Sequence, residues 1–291
     1  MPKEFLSTGV EIGGFNWYNV LESNVGRIFK STEGRIDKLP ETGKTRRKTG
    51  DVYMKQTTRC CSLAAVTGIL GAAAAAVRSL YFKDAMESGG FLTPFHPMQI
   101  LFWIMAAVML LTALLFSLKL PKISRQAPMG VYTGLTQILL GLCLGLTAVR
   151  LSPDLRFYRS LQLLGWGCCA VFLADGLCRC VHKKLGILPH SLFCIFLLLY
   201  SVDLYAQWSN VPEMERVLVP AVGQILLTVL SCEKAYWDFG QNHDGRLLFL
   251  SSAAGFFCMA AVGCPGVQVL HLGGIVWSLS TVLSLRGEGE L

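Results

Sequence analysis

A handful of residues combine useful chemistry with places where they would be expensive to leave unpaired. Asp175, Asp203, Arg78, His271 and Gln224 all fall inside long apolar stretches of this 291-residue chain. An ionisable group at the middle of a bilayer costs a few kcal/mol unless paired or hydrated, so such residues point to solute contact, ion coupling or helix-to-helix bonding. Asp203, Arg78 and His271 are expected at a common depth, near the outer ends of their stretches. With Gln268 and the deeper Gln224 they could line one outward-facing polar cavity. The competing reading is that each side chain snorkels to the interface or binds a neighbouring helix. Asp175 has Arg179 four residues on, hence on the same helix face, which predicts a local ion pair; a coupling carboxylate is the sharper alternative.

Other chemistry finds less support. The string "CRCVH" brings Cys178, Cys180 and His182 together, but residues two apart on a helix point to opposite sides, and no second ligand pair completes a zinc site. Cys143, Cys168, Cys169, Cys194, Cys232 and Cys258 lie in apolar stretches, where cysteine packs as a small hydrophobe, and only Cys264 is expected at the outer surface. Motifs such as HExxH, GxSxG and a phosphate-binding GxxxxGK[ST] do not occur. The expectation is therefore of no catalytic residue, no metal site and no cofactor.

The elements that must position these residues follow from composition. A mean hydropathy of +0.49, with 53% hydrophobic and 15% charged residues, departs from soluble domains. Crossing a bilayer takes about 20 apolar helical residues. The candidate stretches, about eight by that criterion, run over 61–82, 98–120, 129–149, 160–181, 188–208, 216–236, 247–264 and 266–285. Only "GCPG" separates the last two, so a re-entrant hairpin is their alternative. Without the period-2 pattern of barrel strands, helices are the remaining way to satisfy the backbone in lipid. The expected fold is an all-α polytopic bundle in residues 54–291, preceded by a polar, disordered cytoplasmic tail over 1–53.

Charge sets the threading. Lys44, Arg46, Arg47, Lys48, Lys55 and Arg59 precede the first stretch, and alternation adds Lys119, Lys122, Arg125, Arg179, Lys183, Lys184, Lys234, Arg246 and Arg286 to the same side. The opposite side has only Lys83, Arg150, Arg156, Arg159 and Arg216. The positive-inside rule then puts both termini in the cytoplasm of a plasma membrane. It also disposes of "LPETG" at 39–43 as a sortase signal: the motif is N-terminal, cytoplasmic, and has its basic run "KTRRK" before the apolar stretch rather than after it. "MKQTTR" at 54–59 has the form of a bacterial membrane-protein start, which raises Met54 as the expected start of translation, with an uncleaved anchor favoured over cleavage near "AAAAAV" at 72–77. An intact mass of 31.9 kDa would rule that start out.

Prolines 97, 153, 212 and 265 precede alternate stretches and suggest repeated helical hairpins, although proline suits the first turn of any helix. "GLCLG" at 141–145, Gly165, Gly167, Gly273 and Gly274 mark close helix contacts. Expected partners are the lipid bilayer, anionic headgroups at the basic N-terminal segment, and a protein partner or small solute; so short a basic patch does not fit nucleic acid. Two functions follow. One is a non-catalytic membrane assembly or sensory subunit; the alternative is a small-solute transporter or membrane ligand-binding module.

Overall fold

The computed structural model describes residues 43–87, 96–119, 130–153, 155–183, 185–208, 214–238, 244–263 and 269–285, with side chains in the first, fifth and sixth of these limited to 56–84, 185–203 and 217–238. Eight helices occupy them: α1 (Gly43–Glu87), α2 (Pro97–Leu118), α3 (Val131–Val149), α4 (Tyr158–Cys180), α5 (Leu188–Trp208), α6 (Met214–Asp238), α7 (Asp244–Val262) and α8 (Val269–Ser284). No strand occurs among the described residues. Contacts divide the chain into Met1–Thr49 and Gly50–Leu291, and of the first unit only the opening turns of α1 are described. The backbone is already helical at Gly43, ahead of Met54; the rest of the expected tail, including most of "LPETG", lies outside the described residues, as do Pro212, Cys264, Pro265 and Gln268.

Six helices are long and apolar enough to cross a membrane, counted among the described residues: α2, α3, α4 and α7 throughout, α1 over Gln56–Asp84 and α6 over Val217–Asp238. This is a membrane-embedded helical bundle. The expected count of about eight full spans is met in position but not in length. α8 has 16 residues, about 24 Å at 1.5 Å per residue, short of the ~30 Å hydrocarbon layer. Both α7 and α8 nevertheless run from one end of the bundle to the other. α7 begins with Gly245 against the Ser117 carbonyl at the end of α2 and finishes with Gly263 against Ala75 of α1. α8 begins with His271 near the Pro220 carbonyl and finishes where Gln56 donates to the Leu285 carbonyl at 3.0 Å.

α7 is the hub. Two thirds (67%) of its span is buried, against 28% and 22% in the spans of α1 and α2; α2 packs on it, and Gly71 of α1 meets its Met259. α3, α4, α5, α6, α7 and α8 each contact the next, and α8 closes the ring by packing on α3. Between apolar helices in lipid, close van der Waals approach replaces the hydrophobic effect as the driving force, and small residues permit it here. A methyl group on Gly273 would lie 2.7 Å from Cys143 Cβ of α3, and one on Gly274 would lie 2.8 Å from Leu227 of α6 and 3.1 Å from Cys258 Sγ of α7. These two glycines let α8 sit among three helices.

A reciprocal close crossing joins α3 to α4. A Cβ on Gly134 would come within 2.6 Å of the Gly176 carbonyl oxygen, and a Cβ on Gly176 within 2.7 Å of that of Gly134. Backbone cannot move aside as a side chain can. Gly176→Ala is therefore expected to cost about 1–3 kcal/mol, the usual penalty of overpacking, in equilibrium unfolding from mixed micelles. Gly68→Ala on α1, where nothing lies within 4 Å, is the control and should be neutral or mildly stabilising.

Candidate functional site

The largest concentration of buried charge lies where α4, α5, α6 and α8 meet, at the end of the bundle that holds Arg59, Lys119 and Arg246. Asp175 and Arg179 form the pair their spacing predicts: Arg179 Nε donates to Asp175 Oδ2 at 2.6 Å. The guanidinium does not stop there, because a second nitrogen donates to Asp238 Oδ2 of α6, also at 2.6 Å. A planar fork of donors can serve two carboxylates where an ammonium could not. His190, in the first turn of α5, places Nε2 3.3 Å from the same Asp238 oxygen. A carboxylate can only accept, so the imidazole hydrogen is on Nε2 in the neutral ring.

Lys234 stands one turn before Asp238 on α6. Its ammonium donates to Thr281 Oγ1 of α8 at 3.0 Å and lies 4.9 Å from the Trp277 ring centroid, within cation–π range. Ser231 donates to the His190 carbonyl at 3.2 Å, and Ser280 of α8 to Thr136 of α3 at 3.1 Å. Arg179 and Asp175 are 1% and 0% exposed; with Lys234 taken as an ammonium the formal charges of two cations and two carboxylates cancel, although of the two cations only Arg179 touches the carboxylates. Taking such charges out of water is tolerable only with this degree of mutual pairing.

The local sequence explains how the network is held. α4 ends in a Schellman turn: Lys183 N–H donates to the Cys178 carbonyl and His182 N–H to that of Arg179, with His182 in the left-handed region at φ 57°. "CRCVH" is thus a helix stop, and no group of three metal-binding side chains occurs among the described residues. Beyond the turn, Gly186 takes φ 77° and the Leu185 N–H returns to Asp175 Oδ1 at 3.1 Å. Asp175 therefore joins its own helix to the loop that launches α5. Pro189 in the first turn of α5 suits a position needing no N–H partner, and it delivers His190 to Asp238.

Four other candidates lie toward the opposite end, each held by a different pair of elements. Asp203 of α5, 1% exposed, accepts from the backbone N–H groups of Arg156 and Phe157 at 3.0 and 2.9 Å, one on each oxygen, where the loop from α3 turns into α4. The carboxylate sits at a helix N-terminus, where unsatisfied N–H groups and the helix dipole favour negative charge. Gln224 of α6 accepts from Ser201 of α5 at 3.1 Å. His271 of α8 has Nε2 3.4 Å from the carbonyl oxygen of Pro220, the proline inside α6. Arg78 of α1 is sandwiched between aromatic rings, its guanidinium carbon 5.0 Å from the centroids of both Phe82 and Phe102.

Sequence reasoning missed His190 and Asp238 as members of the network and counted Lys234 only for topology. Asp238 falls just past the expected end of its stretch, where an acid reads as loop. The available signal was its place four residues after Lys234, which puts both on one helix face. Comparison with known proteins adds no further constraint: no family model matches the chain, and neither does a curated protein or a solved structure.

Proposed function

We propose that this protein is a non-catalytic subunit of a membrane, with an assembly or sensory role, and that its buried polar residues hold helices together. The observation that carries the reading is the bridging of Asp175 and Asp238 by one guanidinium, which joins α4 to α6. Asp203, the residue best placed to meet a solute at the opposite end, has both oxygens committed to backbone N–H groups. We place both termini on the cytoplasmic side of a bacterial plasma membrane, on the strength of the basic residues gathered at one end.

A second reading, a small-solute transporter or ligand-binding module, draws on two polar contacts of α6, Gln224 with Ser201 of α5 and the Pro220 carbonyl with His271 of α8. A thermal screen of the purified full chain in detergent separates the two, since a ligand at 100 times its Kd adds about 2.7 kcal/mol to a reversible unfolding equilibrium. The subunit reading expects no shift with ions, amino acids, sugars or nucleosides, and no saturable uptake into proteoliposomes. Saturable uptake lost in a folded Gln224→Ala variant would overturn it.

A further inference from the structure

A groove of about 470 Å³ opens on the membrane-facing side between α2 and α7, at the end of the bundle that carries the buried ion network. The helices touch at both limits of it. At one, Gly245 meets the Ser117 carbonyl, with 3.0 Å left for any added Cβ; toward the other, the rings of Phe102 and Phe256 stack at 6.3 Å. Between these contacts Leu114, Leu118, Phe249 and Leu250 form apolar walls, and Arg246 stands with them as the sole charge of the lining. Leu114 and Leu118 are 45% and 73% exposed, so the groove is open to hydrocarbon.

We infer that this groove holds an acyl chain of an anionic phospholipid whose headgroup phosphate pairs with Arg246. Shape and polarity select a lipid: a volume within the range of small-ligand sites, apolar along its length, with one cation at its headgroup end. Charge selects an anionic one. Arg246 is 70% exposed and makes a loose ion pair with Glu233 at 3.9 Å, too long for a hydrogen bond, so its guanidinium donors face outward. A phosphate would accept two N–H bonds from the same guanidinium. Arg59 reaches the end of α2, donating to the Lys119 carbonyl at 2.8 Å. Arg246 is the charge that the lining itself supplies. This site is distinct from the basic segment before the first span, and it does not depend on the proposed function.

The test is native mass spectrometry of the full chain released from micelles containing equal phosphatidylglycerol and phosphatidylcholine. The wild type is expected to retain phosphatidylglycerol. Arg246→Gln, an exposed change that does not threaten the fold, should lower that retention about fivefold, the effect of one basic residue at a lipid surface. Leu250→Trp, which fills the groove, should lower retention of both lipids. A variant with Lys44, Arg46, Arg47 and Lys48 changed to Gln should keep the dependence on Arg246. Equal retention of the two lipids, an Arg246→Gln variant that behaves as wild type, or retention that follows the tail variant alone would overturn the proposal. A dimer that Leu250→Trp dissociates would also overturn it, in favour of a second copy of the chain in the groove.

Discussion

Arg179→Met should lower the unfolding free energy by about 3–5 kcal/mol, the cost of breaking a buried ion pair by removing one partner. The side chain is close to methionine in length, so the loss is electrostatic rather than a cavity effect. What remains is two carboxylates, Asp175 and Asp238, in a closed space with Lys234 as the nearest cation on α6, and that ammonium is directed to Thr281. Arg179→Lys keeps the charge but loses the fork, so it should fall between the two, because one ammonium cannot reach both oxygens with equal geometry. The decisive variant is the double one. Adding Asp238→Asn to Arg179→Met restores neutrality, with Asp175 balanced by Lys234. The pair should then be less damaging than the sum of its parts, by about 1–3 kcal/mol of coupling, as expected for residues in one network. Equilibrium unfolding in mixed micelles of the wild type, Arg179→Met, Arg179→Lys, Asp238→Asn and the double variant measures these differences. An Arg179→Met variant within about 0.5 kcal/mol of the wild type, the usual range of a surface change, would mean that the guanidinium is hydrated and the network open.

That cycle also bears on function. A network that serves only to hold helices should recover in the neutral double variant, since Asn can still bond His190. A network that carries a coupling charge should not, because the double variant has neither the cation nor the second carboxylate. Stability and any transport signal would then part company, which is the separation the proposed function needs.

The membrane fold was legible because hydrocarbon is a stringent solvent. Stretches such as 98–120 and 129–149 can hardly be anything but helices when no water is present to satisfy the backbone, and α2 and α3 fall within a few residues of them. The i to i+4 pair of Asp175 and Arg179 was legible for a similar reason: it depends on one helix alone. What could not be read is anything that depends on which helices meet. Asp238 and His190 are 48 positions apart and acquire a shared role only when α5 and α6 pack. Glycines behaved in the same way. Gly141 and Gly145 show the expected small-residue spacing, but the α3–α4 crossing also brings Gly134 and Gly176 backbone to backbone, and no local motif pairs those two. Depth, likewise, was a poor guide to neighbourhood: Arg78 and Asp203 share an end of the bundle while belonging to different helix pairs.

Asp203→Ala should be the second most damaging single change, at about 2–4 kcal/mol, and its pattern of partial rescue would identify the reason. The carboxylate takes one backbone N–H on each oxygen, from Arg156 and Phe157. Truncation removes the acceptor of two part-buried donors, and a group left unsatisfied away from water costs about 1–3 kcal/mol. The lost negative charge at the start of α4 adds a few tenths of a kcal/mol to about 1 kcal/mol more. Asp203→Asn keeps one accepting oxygen and turns the other position into a donor that faces an N–H, so it should recover about half of the loss at most. Asp203→Glu keeps the charge but must fold an extra methylene into a site that is 1% exposed, and it too should fall short of the wild type. An order of stability of Asp, then Glu and Asn, then Ala follows from capping. A carboxylate there to bind a solute cation predicts something else: Asn and Ala should match the wild type in stability without solute and differ only in its presence. Hydrogen exchange at the Arg156 and Phe157 amides reads the two cases directly, since capping requires their protection to fall in Asp203→Ala even where the rest of α4 is unchanged. Unaltered protection at both amides would mean that the N–H groups have other partners, and Asp203 would return to the candidates for solute contact.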